Sequence, residues 1–473
     1  MDKLPAGGLT LRRGQVLSTA SDVTQHRAVP QQVIGERDGG VVVLLVCVLP
    51  MFAECFQYMT DIPPLYLLSK VWPLLMVPAG VWALRRLDIP HRVLHIVVLC
   101  WLLAVTPLMG VVQLGNSFAD AMATTVKVWS FSYIFAVTGV LALLRPSHRT
   151  LCRAIIALGV ATFAIMSVLW VVVPESAYGG GDLQTKLFMT DVERGFRIYM
   201  PMYFGVMLLL YLNRSAWMRF AWWKPVGVLA GLVLMLLIYK QRTAIASVVL
   251  ALVLGSVLSM KRWRIAGFAA VGLVACAGVF LLVARAGNSV ALAHQLGASL
   301  TVREVSVSTA WNYLSADPER WLLGVGGTSR IGDVTLAGLF NNPMFFLADI
   351  GWLGVLFEYG AVGVLLILLV YGAGLRSALG WGRSGDPMSQ AFADYIVYLL
   401  ASSVVYSAVF APGELTTTMA LSYYFSRDFG LSNDDQRSVS AQKPAPSPRH
   451  KALARSLPVG ASPPPPSGIA SNG

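Results

Sequence analysis

Runs of apolar residues recur along the whole chain, with polar residues gathered in the gaps between them. A helix that crosses a bilayer needs roughly 20 predominantly apolar residues. Windows of that kind fall at 41–59, 64–84, 93–114, 122–144, 152–173, 198–212, 225–239, 243–259, 265–284, 344–373, 390–411 and 414–426. The first, sixth, seventh and last carry the weakest apolar signal. The pattern predicts an all-α, polytopic integral membrane protein with about 12 transmembrane helices. One stretch breaks the rhythm: residues 285–343 are polar and form one large loop, containing short helices, before the apolar run at 344–373. The organisation is then an N-terminal segment at 1–40, helices 1–9 over 41–284, the loop at 285–343, helices 10–12 over 344–430 and a tail at 431–473. Both ends are poor in large apolar residues, and the tail is rich in Pro, Ser and Ala, so both are expected to be disordered.

Composition agrees with lipid as the solvent. Of 473 residues, 56% are hydrophobic and only 13% charged, against about a quarter charged in soluble proteins. Residues 1–40 lack the pattern of a cleaved signal peptide, so insertion is expected to begin at the first span. Arg85, Arg86 and Arg92, then Arg145, Arg149 and Arg153, then Arg214, Arg219 and Lys224, then Lys261, Arg262 and Arg264, and finally Arg376 and Arg383 fall in alternate loops. The opposite short loops hold only Lys186, Arg194, Arg197, Lys240 and Arg242. That bias puts the first set and both termini in the cytoplasm, and turns 174–196 and 285–343 outward, toward the periplasm of a bacterium. The net charge of +12 is therefore read as topology, and nucleic acid is not expected as a partner. The five cysteines, Cys47, Cys55, Cys100, Cys152 and Cys276, form no C-x-x-C pair and read as small core residues. The six histidines are scattered, and neither a metal site nor a cofactor is expected.

Positive-inside bias leaves the outward cations unexplained. Arg194 and Arg197 stand three apart and share a face if the sixth helix begins there. Lys240 and Arg242 are held at the tight hairpin between the seventh and eighth spans, where they suit either an anion or lipid phosphates. In the loop, residues 302–314 fit a short amphipathic helix headed by Arg303 and Glu304, and Asp317-Pro318 stops it. Gly324, Gly326 and Gly327 follow, able to take positive φ and to bring backbone close to a ligand. They follow no strand, which disfavours a dinucleotide or phosphate-loop fingerprint. Trp311, Tyr313 and Trp321 suit either sugar faces or the membrane interface. Asn341-Asn342 then leads to an apolar run carrying Asp349 and Glu358, ionisable groups expected to face an interior cavity, with Gly351, Gly354, Gly360 and Gly363 allowing tight contacts or bends.

Taken in order, Arg242-Thr243-Ala244, Arg303 to Trp311, Asp317-Pro318, Gly324 to Gly326, Asn341-Asn342, Asp349-Ile350-Gly351 and Glu358-Tyr359-Gly360 give the chain a specific likeness. Over residues 175–372 it resembles the Wzy polymerase and O-antigen ligase superfamily of membrane glycosyltransferases. The resemblance implies inverting, metal-independent transfer of undecaprenyl-diphosphate-linked oligosaccharide at the periplasmic face of the bacterial inner membrane, with outward arginines binding the diphosphate. It also implies a chain-length regulator and export proteins as partners beside the lipid bilayer. Arg194, eleven positions before Gly205, resembles a motif of the polymerase branch. Ligases commonly carry His-Asn where this chain has Asn341-Asn342, and that departure favours a polymerase of exopolysaccharide or O-antigen repeats.

Transfer from a lipid diphosphate develops charge on the leaving group, which fixed guanidiniums stabilise. The catalytic candidates are Arg242 and Arg303, with Glu304 and Asp317 as bases by residue type. Substrate-binding candidates are Arg194, Arg197, Lys240, Trp311, Arg320, Arg330, Asn341, Asn342 and Asp349, the last also eligible as base. Lipid A core ligation stays open, as does a lipid-linked sugar flippase or transporter, for which Glu54, Lys70, Lys127 and Asp394 supply ionisable groups in or beside spans. A membrane scaffold would leave the outward arginines without a purpose.

Overall fold

The computed structural model describes residues 31–57, 59, 62–180, 187–191, 194–260, 298–327, 335–342, 345–382, 386–407, 409 and 412–426. Six helical stretches among them are long and apolar enough to cross a membrane: Pro63–Arg86, Arg92–Leu114, Phe118–Leu144, His148–Val172, Arg242–Ser259 and Trp352–Gly380. Each coincides with an expected window, and together they mark a multi-pass membrane protein. The ninth window, 265–284, lies outside the described residues.

In chain order, α1 covers Gln31–Phe52, α2 Pro63–Leu75, α3 Val77–Arg86, α4 Arg92–Cys100, α5 Thr106–Leu114, α6 Phe118–Thr124, α7 Tyr133–Leu144 and α8 His148–Val172. A π-helical turn, Trp101–Val105, joins α4 to α5, and a 3-10 segment, Thr125–Ser132, joins α6 to α7. Local chemistry sets the starts: the Ser147 hydroxyl accepts the Thr150 N–H at 3.1 Å at the head of α8, and Ser117 does the same for Asp120 at 3.1 Å before α6. Next come α9 (Tyr203–Met218), α10 (Trp223–Leu234), a second π-helical turn (Met235–Tyr239) and α11 (Arg242–Ser259). After the undescribed stretch, α12 is Ala298–Ser315, α13 Pro318–Leu323, α14 Leu336–Leu339, α15 Trp352–Gly382, α16 Pro387–Ser402 and α17 Gly413–Ser426.

Short helices occur both inside the bundle and on its exterior. Nearly every residue of α17 is buried, as is the N-terminal half of α9, whereas α2, α3 and α10 expose Leu67, Val71, Leu75, Val81, Val226 and Leu229, an apolar exterior suited to lipid. Between α9 and α16 the Arg214 guanidinium donates to both Asp394 oxygens at 2.6 Å and to the Ser259 hydroxyl at 2.9 Å. Both charged side chains are 4% exposed, so the pair and its hydrogen bonds replace the water each has lost.

Three expectations are corrected. The protein is not wholly α-helical: a three-stranded sheet forms from β1 (Gly179–Gly180), β2 (Phe188–Asp191) and β3 (Gly195–Ile198), with β1 parallel and β3 antiparallel to β2. Arg194 occupies the turn before β3, and Arg197 lies on β3 opposite Met189. They therefore share no helix face, and the sixth helix starts only at Tyr203, past Pro201, which holds its predecessor extended. The first helix, expected to reach residue 59, stops at Phe52 and gives way to a turn in which Glu54 has φ 55°.

The polar loop is corrected as well. Its first helix begins at Ala298 and ends where expected, and the Asp317 carboxylate caps α13 by accepting the Glu319 N–H at 3.0 Å. Of the glycines that follow, Gly324 and Gly326 approach protein backbone and Gly327 the Thr124 side chain, rather than an open ligand site. Gly360 takes φ 67° and breaks α15, so carbonyls on its N-terminal side lack their helical donors. Val325 N–H fills Phe357 O at 2.8 Å, Gly326 N–H fills Glu358 O at 3.2 Å, and the Trp101 indole fills Tyr359 O at 3.1 Å. A second core of Ala310, Leu314, Val325, Phe345, Leu347, Ile350 and Phe357 lies beneath the loop helices. Much of the described part of the polar stretch is thus a packed plug on α15.

Candidate functional site

Among the described residues a cavity forms elsewhere, where α1, α9, α11, α16 and α17 converge. Its volume is about 90 Å³, and its lining includes Glu54, Tyr199, Tyr203, Tyr239, Gln241, Tyr398, Tyr406 and Glu414. That is room for several waters or the end of a polar ligand.

The local sequence explains how each wall is held. Pro412-Gly413 starts α17 against the reversal that follows α1; a Cβ at Gly413 would fall 2.5 Å from Glu54 Cγ. The Thr417 hydroxyl donates to Phe52 O at 2.9 Å, and Thr416 donates to Ser130 O at 2.9 Å, fixing the first turn of α17 to its neighbours. Glu414 is then aimed at α16, where the Tyr395 hydroxyl donates to its Oε2 at 2.7 Å. One Glu54 carboxylate oxygen is buried and accepts no hydrogen bond from the described residues. Tyr203 packs edge-on to Tyr395 at 4.9 Å and shares a hydrogen bond with Thr418 at 3.1 Å. Tyr199 stacks on Tyr239 at 5.9 Å, and the Tyr239 hydroxyl donates to Gln241.

That stack joins the sheet to the α10–α11 hairpin, and Lys240 completes the join. Lys240 sits in the left-handed region at φ 53°, and its Nζ donates to Arg194 O at 3.1 Å and Phe196 O at 2.8 Å while lying 5.3 Å from the Trp170 ring. Its expected place on an anion is thus taken by backbone carbonyls. Arg197 is half-buried and approaches Met189 Sδ at 3.7 Å. Arg242 opens α11 with its side chain exposed, one residue past the cavity-lining Gln241. Arg194, Arg197, Lys240 and Arg242 are therefore brought together around one hairpin beside the cavity. Nearby, burial against Phe188 and Phe196 pushes the Tyr178 hydroxyl above its ordinary pKa, so it stays neutral.

The remaining expected residues that are described belong to the plug, and none of them lines the cavity. Arg303 is half-buried and Glu304 exposed on α12. Trp311 is 52% exposed and meets Trp321 edge-on at 5.0 Å. Arg320 donates to Gln113 Oε1 at 3.2 Å and Tyr313 O at 3.1 Å, stacks 4.3 Å from the Tyr313 ring, and lies 3.8 Å from Asp317. Its contacts tie the plug to α5. Asn341, at φ 47°, ends α14 in the left-handed conformation that Asn tolerates, while the Asn342 N–H bonds Ala337 O at 3.0 Å. Asp349 is half-buried in the 3-10 turn before α15. Arg330 lies outside the described residues.

Glu358, expected in an interior cavity, instead pairs with Lys127 at 2.6 Å, their side chains 1% and 26% exposed. His91 and His95 have the four-residue spacing of a two-histidine metal motif, but no group of three His, Cys, Asp or Glu gathers among the described residues. His95 is buried edge-on against Phe135. Sequence reasoning missed Glu414 and counted Glu54 only as an ionisable group beside a span. The available signal was a Glu inside the first apolar window and another at the start of the last; nothing in the spacing linked one to the other. No protein-family model matches the chain, and no curated protein is similar to it.

Proposed function

We propose that this protein is a membrane glycosyltransferase that polymerises polyprenyl-diphosphate-linked oligosaccharide repeats at the outer face of the bacterial inner membrane. The observation that carries the reading is the cavity itself: the Glu54 and Glu414 carboxylates and a tyrosine wall, beside a hairpin holding Arg194, Arg197, Lys240 and Arg242. With the termini cytoplasmic, as Lys and Arg placement favours, the cavity opens outward. Tyrosines give flat faces and hydroxyls for sugar, and carboxylates accept from sugar hydroxyls. Arginine suits the departing diphosphate because its planar fork donates two hydrogen bonds and stays charged. On this reading the expected roles are redistributed. Arg242 is the foremost diphosphate ligand, Lys240 holds the hairpin, and Arg303 serves the plug side of the molecule.

Two measurements test this. A deletion strain is expected to accumulate single lipid-linked repeats on the outer leaflet without polymer; repeats confined to the cytoplasmic leaflet would overturn the reading in favour of a flippase. Unligated but full-length polymer would instead identify a ligase. Arg242→Ala, with its protein still in the membrane, is expected to cut polymer synthesis on the order of 10²-fold, the effect of deleting a preorganised donor. Normal chain synthesis by that variant refutes the arginine's role. The flippase reading is favoured by one observation, the broken α15 with Lys127–Glu358 at its break, since transporters build ion sites on interrupted helices.

A further inference from the structure

We infer that Glu54 is the general base that takes the proton from the acceptor sugar's hydroxyl, and that Glu414, held by Tyr395, is its positioning partner. The inference rests on the polymerase reading and assigns the step that reading leaves open.

A base must reach the reacting hydroxyl with a lone pair still available. Glu54 meets that requirement: it lines the cavity, and while Ser130 and the Gly413 backbone interact with its carboxyl, one buried carboxylate oxygen accepts nothing from the described residues. Its backbone is held at φ 55°, a conformation costly for a non-glycine residue and concentrated at functional sites. The strain is fixed from outside by close packing on Gly413 and by the Thr417 bond to Phe52 O. Glu414 lines the same cavity, but the Tyr395 hydroxyl occupies its Oε2. The other acids are less suited. Asp317 caps α13, Glu304 is exposed on α12 and Asp349 is half-buried before α15, and none of the three lines the cavity.

The step balances without another reactant. Glu54 accepts the hydroxyl proton as that oxygen bonds to the anomeric carbon from the face opposite the diphosphate. The bond from carbon to diphosphate oxygen breaks, its electron pair leaves on the diphosphate beside Arg242, and configuration inverts. The proton on Glu54 then passes to water or to the departing diphosphate.

The test uses the full chain in phospholipid nanodiscs, with lipid-linked repeats extracted from the deletion strain. Glu54→Gln, nearly isosteric, is expected to slow polymer formation by about 10²- to 10⁴-fold while retaining repeat binding within a few fold. Azide has no proton to lose, so its attack needs no base. Glu54→Ala given sodium azide is expected to release polyprenyl diphosphate and form an inverted glycosyl azide, which Glu414→Gln does not. Wild-type polymerisation by Glu54→Gln would overturn the inference. So would loss of repeat binding in both Glu54 variants, or absence of glycosyl azide from a variant that binds the repeat. If the unaltered protein makes no polymer from these repeats, it is the polymerase reading that fails.

Discussion

Gly326→Val is expected to remove the folded protein from the membrane, although residue 326 belongs to a stretch that looks like an ordinary polar loop. Gly326 has φ 99°, and a Cβ there would fall on Gly110 N and within 2.5 Å of Gly110 Cα. Both obstacles are backbone atoms of α5, which cannot swing aside as a side chain would. Valine would therefore push the turn out from between α5 and α15. Phe357 O and Glu358 O, now filled by Val325 and Gly326, would lose their donors at a helix break. Each buried polar group left unpaired costs about 1–3 kcal/mol, and the strained φ adds about as much again. Gly372 supplies the control, since nothing lies within 4 Å of a Cβ built there. Gly372→Ala should match the unaltered protein in membrane abundance and detergent melting, and Gly326→Val should fail in both. A Gly326→Val protein that accumulates and melts normally would show that the plug does not depend on this approach.

The contrast with its appearance in sequence shows where one-dimensional reading succeeds. A bilayer imposes a length, so six of the twelve apolar windows coincide with helices long enough to span, though with ends displaced by up to eight residues, and the windows with the weakest signal include the short, buried α17. The sheet at 179–198 escaped because its strands are brief and glycine-rich, and because Arg194 and Arg197 happen to stand at helical spacing. Glycines at 324–327 permit close approach to a ligand, but a sequence does not say whether the approaching group is a ligand or, as here, the protein itself. The cavity escaped almost entirely. Its walls come from residues as far apart as Glu54, Tyr239 and Glu414, whose meeting depends on helix packing and leaves no local spacing behind.

Lys127 and Glu358 offer the second large effect, and their response to substitution should be lopsided. Lys127→Met would leave Glu358, 1% exposed, as an uncompensated charge inside the helix bundle, a loss of about 3–5 kcal/mol. Glu358→Leu should cost less, because the Lys127 side chain is 26% exposed and its long stem lets the ammonium find water. The double variant replaces the pair by apolar groups of similar size, a change often neutral or even stabilising by about 1–4 kcal/mol. Melting in detergent is thus expected to rank Lys127→Met below Glu358→Leu, with the double variant restored to the range of the unaltered protein. Equal stability of Lys127→Met and the unaltered protein would defeat the argument. The same double variant separates the functional readings. If the pair only braces the break in α15, polymer returns with stability. A stable double variant that strands lipid-linked repeats on the inner leaflet would mean the charges handle substrate across the membrane, and the flippase reading would replace the polymerase.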